Sequence, residues 1–410
     1  MESYALLRLI VFPLATLGLF ALGISLGARI LLSPKKQEEL KNAHWTLQNR
    51  AFWNVHLYGS FLRLFSNFLM GVVIVYLVSG HEIEFTLPAI IALLVIGMLV
   101  TVPPFSSFRN RVRRRWERID LNPYRGRIFL SLLFFLPLLF LIVAVPTIPR
   151  EISLASVLFA GLTLAFLIGW QAWGGVWLSR KLGTLIPAPE NWKQLVDETA
   201  KEMGVDPLPR VFVANTAMLN AFAYPTGHAV FFTRPVLETL PKEQIRALAE
   251  HELGHLQEGT GSHLLRVSQP LIYFPILCLN PLASHFDFPV ALFISLGGFF
   301  LASRLYARFL RKAEFEADTA GPDEDSSSAD LAEALTRLHQ ENLIPAVLPR
   351  GGSKSHPDLY DRLLALGVTP DYERPPAPMP ALMAMFAFAW ILICGILLIA
   401  LEIAIWWFWA

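Results

Sequence analysis

The sequence predicts a mainly α protein: a multi-span α-helical membrane protein of about eight spans, with a small α+β part set between them. Three observations carry this. Hydrophobic residues make up 54% of the chain and mean hydropathy is +0.48, more apolar than a water-soluble domain. The apolar residues gather in eight charge-poor stretches, most of them close to the roughly 20 residues needed to cross a bilayer. The polar residues gather in two blocks, 180–263 and 311–374, with strand-like and helix-like patterns.

In chain order the apolar stretches are 9–28, 64–80, 85–108, 128–149, 152–179, 267–284, 288–303 and 375–401. The first is too long for a signal-peptide core and lacks a small-residue cleavage site, so it reads as a retained span. The seventh is short, and Arg304 and Arg308 extend it by snorkelling. Basic residues alternate between the connecting segments. Lys35, Lys36, Lys41, Arg50 and Arg63 follow the first span, and the loop near 80–85 has none. The 109–127 loop is rich in arginine, and only Arg150 lies in the next. The 180–266 segment is basic, the 284–289 turn is not, and Arg311 and Lys312 follow the seventh span. By the positive-inside rule both chain ends lie outside and the polar blocks face the cytoplasm. The 109–127 cluster reads as this topology signal rather than a nucleic-acid or anionic-lipid patch, because only Trp116 and Tyr124 accompany it. A net charge of +1 likewise gives no reason to expect a nucleic-acid partner. Trp406, Trp407 and Trp409 read as an interfacial belt, and Cys278 and Cys394 as packing residues in apolar runs.

In the first polar block, 190–203 reads as a helix, and 210–214, 219–224 and 228–233 as strands, with Gly227 turning the chain between the last two. Pro241 then opens a helix, with Glu243 in its first turn and Ile245, Leu248, Ala249 and Leu253 along its apolar face. Gly259 and Gly261 mark its stop. In the second block, 330–341 reads as a short helix, and the acidic, Ser-rich 321–330 segment as a loop.

The 241–258 helix carries His251-Glu252-Leu253-Gly254-His255. Residues four apart on a helix face the same way, so His251 and His255 can share one tetrahedral Zn²⁺. Glu252, offset by one residue, lies beside the ion, where a carboxylate can take a proton from water. A catalytic zinc needs a third protein ligand. Glu314 fits best: it follows the seventh span, and a continuing helix puts Asp318 on the same face and Glu316 elsewhere. Asp318 can then steady a ligand histidine through its second ring nitrogen. Glu258 is a rival third ligand, if the first helix persists past His255. Spans six and seven, as antiparallel neighbours, would bring both ligand sets to similar depth.

In these motifs the chain resembles the integral-membrane zinc metallopeptidases that include the type 1 CAAX prenyl endopeptidase and the HtpX proteases. The likeness runs over about 209–366. It rests on Asn220-Ala221-Phe222-Ala223, on His251 to His255, on Glu314-Phe315-Glu316-Ala317-Asp318, and on Ser355-His356-Pro357 followed by Arg362-Leu363. It implies a small zincin-like catalytic part with one zinc ion per chain. It implies that Asn220, Ala221, Phe222 and Ala223 line the substrate cleft, that Glu252 is the general base, and that His356 donates to the oxyanion. Arg362 comes over as a cleft or structural residue. The apolar stretch 375–401 after the second block departs from the CAAX branch, so cleavage of prenylated peptides is not implied.

The expected organisation is a five-span bundle over 1–179, a catalytic block at 180–263, spans six and seven at 264–310, a second catalytic block at 311–374 and a last span at 375–410. The expected function is a membrane-bound zinc endopeptidase in membrane-protein quality control or peptide maturation. Its partners are a peptide or protein substrate and the lipid bilayer, its location a bacterial plasma membrane rather than the endoplasmic reticulum, and its oligomeric state is left open. The alternative is a non-catalytic receptor or antirepressor on the same fold. Intramembrane cleavage is disfavoured because Lys242, Glu243, Arg246 and Glu250 crowd the metal helix. Transport is disfavoured because the spans hold almost no charge.

Overall fold

The computed structural model describes residues 2–79, 136–216, 218–318, 325–349 and 357–409. The chain divides into two units, one drawn from Met1–Arg118, Leu343–Arg350 and Pro375–Ala410, the other from Ile119–Asn342 and Gly351–Arg374.

In the first unit, α1 (Glu2–Leu31), α2 (Pro34–Lys41) and α3 (Trp45–Ser79) lead to the last helix of the chain, Pro380–Trp409. Phe20, Ile24, Tyr58, Leu62, Met383, Ala387 and Cys394 form the core where α1, α3 and the last helix meet. Gly23 and Gly27, one turn apart on α1, permit that approach. A Cβ on Gly23 would fall 2.1 Å from Trp390 Nε1, and one on Gly27 would fall 2.0 Å from Tyr58 Cε1. Both aromatic side chains end on α1 carbonyls: Tyr58 donates to Gly23 O at 3.1 Å and Trp390 Nε1 to Leu19 O at 3.1 Å. Small residues that admit a neighbour's bulk, with polar tips satisfied across the interface, suit helices packed in lipid.

In the second unit, α4 (Leu136–Thr147) precedes α5 (Leu154–Lys181), which widens into a π turn over Trp170–Gly174. A four-stranded sheet follows, with β1 (Leu185–Pro187), β2 (Arg210–Ala214), β3 (Ala221–Tyr224) and β4 (Ala229–Thr233) in the order β1-β2-β4-β3. β2 and β4 run parallel, and the outer pairs are antiparallel. The two central strands are nearly all buried apolar residues, as strands covered on both faces must be. Phe231 stacks on Phe222 at 4.8 Å and on Phe212 at 5.5 Å. α6 (Glu190–Glu202) lies between β1 and β2, and α7 (Arg234–Thr239) leads from β4 into α8 (Lys242–Leu256). α8 packs against β3, β4, α6, α10 (Phe288–Asp318) and α11 (Asp325–Asn342). α9 (Thr260–Val267) follows α8, and α12 (Leu359–Ala365) closes the unit.

Among the described residues, four helices are long and apolar enough to cross a membrane: Leu14–Leu31 within α1, Leu154–Lys181, Pro289–Asp318 and Pro380–Trp407. The expectation of eight is therefore met in part. The 64–80 stretch ends α3, 85–108 lies outside the described residues, and only the second half of 128–149 lies within them. The sixth stretch is corrected. Residues 267–284 form no single helix but a 3₁₀ segment, Gln269–Tyr273, and two short helical turns, Phe274–Leu277 and Leu279–Leu282. Pro270, Pro275 and Pro281 explain this, since each lacks the N–H that would continue a helix. The pieces still run beside α10: Tyr273 stacks on Phe299, and Pro275 fills the space opened by Gly298. The acidic segment is also shorter than expected, because α11 begins at Asp325.

Candidate metal centre

The centre is built on α8, whose residues from Ala247 to Leu256 are all buried. A helix enclosed on every side cannot splay its polar groups into water, so each must find a partner. His251, Glu252 and His255 are 5–6% exposed. The two imidazoles sit one turn apart, ring centroids 4.9 Å apart and nearly perpendicular. α10 runs unbroken to Asp318 and brings Glu314 to them. Glu314 Oε2 lies 3.7 Å from His251 Nε2, and Oε1 lies 3.5 Å from His255 Nε2.

These spacings suit a shared cation. They are too long for hydrogen bonds. A tetrahedral ion with bonds of about 2.1 Å holds its donors about 3.4 Å apart. One donor atom from each of His251, His255 and Glu314 can be chosen so that all lie within 4.8 Å of one another. Charge agrees. The buried carboxylates of Glu252, Glu258, Glu314 and Asp318 face the guanidiniums of Arg266 and Arg362, four negative charges against two positive. A divalent cation would balance them.

Each histidine has a carboxylate behind it near Nδ1, hydrogen-bonded at His255 and in close contact without hydrogen-bond geometry at His251, and each turns Nε2 toward Glu314. His251 Nδ1 lies 3.0 Å from Asp318 Oδ1. Arg362 on α12 grips Asp318 with two donors, Nε to Oδ2 at 2.8 Å and Nη2 to Oδ1 at 2.5 Å. His255 Nδ1 lies 2.7 Å from Glu258 Oε1, and Arg266 on α9 grips Glu258 in the same manner. Burial opposes a charge on His251, but Asp318 and Glu314 outweigh it and raise its pKa to about 9. Burial would also raise the Glu258 carboxyl, yet His255 and Arg266 hold it at about 2.

The structure thus brings together His251, Glu252, His255, Glu314, Asp318 and Arg362. Arg362 is 5% exposed and spent on Asp318, the structural alternative to a cleft position. Ala221–Ala223 lie on β3, at the sheet edge with α8 packed beside it, and Asn220 directly precedes that strand. Asn220 extends the pairing, its N donating to Thr233 Oγ1 and its O accepting from Thr233 N, each at 2.9 Å. Asn342, at the end of α11, clamps the residue before it by bonding both the N and the O of Leu219. His356 lies outside the described residues. Sequence reasoning missed the second support, Glu258 with Arg266, although their spacing from His255 was in view.

Two helical histidines with a glutamate beside the first, joined by a carboxylate from a second helix, define the metallopeptidase class. The profile of peptidase family M48 matches residues 188–369. The chain is 30% identical over 213 residues to Protease HtpX of Ectopseudomonas mendocina, covering 43% of this chain and 72% of that protein. It is 29% identical, with the same coverage, to Protease HtpX of Pseudomonas aeruginosa strain UCBPP-PA14. It is 31% identical over 162 residues to a Protease HtpX homolog of Aeropyrum pernix, covering 35% of this chain and 50% of that one. The protein belongs to peptidase family M48, among metalloproteases of the HtpX type.

Proposed function

We propose that this metalloprotease is a membrane-bound, zinc-dependent endopeptidase in which Glu252 is the general base. Zinc suits a donor set of two imidazoles and one carboxylate, and when bound it supplies Lewis acidity to the scissile carbonyl and to water. The remaining work falls to the chain. Glu252, beside the ligands on α8, accepts a proton from the attacking water and returns it to the departing amine. His356, carried over from the family resemblance, donates to the developing oxyanion. Asn220 to Ala223, at the terminal strand of the sheet, line up an extended peptide beside β3 in the manner of an added strand. Asp318 steadies His251, and Arg362 steadies Asp318.

The four apolar helices support a bilayer as the setting. The distribution of Lys and Arg supports a cytoplasmic catalytic part, as in a bacterial plasma membrane, with the expected spans of 1–179 before it in the chain and that of 375–410 after it. The substrates would be proteins in membrane quality control or peptides awaiting maturation.

The observation that carries this reading is the approach of His251 Nε2 and His255 Nε2 to one carboxylate at 3.7 and 3.5 Å. The experiment compares full-length protein in detergent with its Glu252→Gln form on an unfolded protein substrate, zinc content being measured in both. The expected outcome is about a 10²–10⁴-fold fall in turnover with zinc retained. Undiminished cleavage would remove Glu252 from the chemistry. Stoichiometric zinc without cleavage of any substrate by the parent protein would favour a non-catalytic receptor.

A further inference from the structure

We infer that Glu258 and Arg266 are positioning residues for the metal site, a second carboxylate–guanidinium support that orients His255 as Asp318 and Arg362 orient His251. The inference rests on reading His251, His255 and Glu314 as metal ligands.

The geometry is specific. Glu258 follows the end of α8, and α9 starts after Gly259. The chain therefore turns back at once and carries Arg266 alongside. Glu258 Oε1 serves two partners, His255 Nδ1 at 2.7 Å and Arg266 Nη2 at 2.5 Å, while Oε2 accepts from Arg266 Nε at 2.9 Å. The Glu258 side chain is 5% exposed and that of Arg266 18%. A buried charged pair offers little net stability over an apolar pair of the same volume, so fold stability alone is a weak account of it. The contact at Nδ1 does what no apolar pair can. It fixes the ring orientation and places the proton on Nδ1, leaving the Nε2 lone pair directed toward Glu314. Arg266 also lies 3.3 Å from His255 Nδ1. Glu258 therefore offsets the positive charge of Arg266 beside a ligand whose other nitrogen is to meet a cation.

The two supports differ in origin. Asp318 and Arg362 come from α10 and α12, far along the chain. Glu258 and Arg266 come from the residues that directly follow the ligand they serve. The first ties the site to the assembled fold, and the second forms with local chain reversal.

The test measures zinc affinity by competition with a chromophoric chelator, on full-length protein in detergent, together with the visible spectrum of the Co²⁺-loaded form. Three proteins are compared: the parent, Glu258→Gln, and the double variant Glu258→Leu/Arg266→Leu. The double variant removes the acceptor and both charges while filling the space, so its metal-free thermal stability is expected to match or exceed that of the parent. Its zinc affinity is expected to fall about 10–100-fold, with a changed Co²⁺ spectrum. Glu258→Gln is expected to lose affinity too, because Arg266 then faces His255 uncompensated. A merely structural pair predicts the opposite pattern, with altered stability and unaltered zinc affinity. Zinc binding within twofold of the parent in a folded double variant overturns the inference. If the double variant does not fold, the Glu258→Gln affinity decides by the same criterion. Failure of the parent itself to bind zinc would instead defeat the metal-site reading on which the inference rests.

Discussion

At the scale of single residues, the costliest groups are the buried charges, and Arg362 is the sharpest case. Its guanidinium is 5% exposed, bonded twice to Asp318, and 4.0 Å from Glu314 Oε2. Removing it takes a buried cation away from Asp318 and Glu314, leaving Asp318 with the His251 ring beside it. Arg362→Leu is expected to destabilise the metal-free protein by about 3–5 kcal/mol, measured by denaturant unfolding in detergent. The double variant Asp318→Asn/Arg362→Leu should recover much of that loss, because the Asp318 charge is then removed as well. A single variant as stable as the parent would mean that water reaches Asp318 and that the burial described here is wrong. Much of this site was legible from residue spacing. His251 and His255 follow from a four-residue repeat, and Glu314 and Asp318 from the same rule on a helix that continues beyond an apolar stretch. Arg362 was recognisable as important, but its partner depends on where α12 docks. Glu258 invited a place among the ligands, and only the chain reversal at Gly259 turns it behind His255.

Elements show why apolar content is a weaker guide than it looks. The 267–284 stretch has the composition of a span, yet three prolines divide it into short turns that follow α10. A hydropathy window sums side chains and does not register a missing backbone donor. The strands at 210–214 and 229–233 were readable because buried apolar runs between turn residues admit few alternatives. Their order was not, since the parallel pairing of β2 with β4 leaves β3 on the edge by tertiary choice. The π turn at Trp170–Gly174 was also invisible in the sequence. There Gln171 O accepts from the Tyr224 hydroxyl at 2.5 Å, tying the end of β3 to α5. Tyr224→Phe is expected to cost about 1 kcal/mol in unfolding free energy, the usual worth of a single hydrogen bond. In the other unit, Gly27→Leu tests the close crossing of α1 and α3. With Tyr58 Cε1 2.0 Å from where the new Cβ would stand, the helices must separate. A loss of about 1–3 kcal/mol is expected by thermal unfolding. An unchanged midpoint would show that the crossing is wider than described.

For the whole molecule, the candidate metal ligands and the charged residues behind them all belong to the second unit, and they join α8, α9, the end of α10 and α12. The carboxylates of Glu252, Glu258, Glu314 and Asp318 outnumber the guanidiniums of Arg266 and Arg362 by two, a setting that suits a divalent cation. An ion bound to the folded state alone stabilises it by mass action, by about 2.7 kcal/mol at a hundredfold excess over its dissociation constant. Chelation should therefore lower the thermal midpoint, and re-addition of zinc should restore it. The effect also has a location. A bound ion would join His251 and His255 to Glu314 across the α8–α10 contact, bridging two chain segments some sixty residues apart in sequence. Amide hydrogen exchange is expected to rise on chelation in the second half of α8 and the last turns of α10. β2 and β4, paired through backbone hydrogen bonds and enclosed by apolar side chains, should remain protected. Uniformly faster exchange through β2 and β4 would mean that the ion holds the entire unit together. No change at either helix would mean that the three side chains keep their arrangement without it, and that the ion serves chemistry alone.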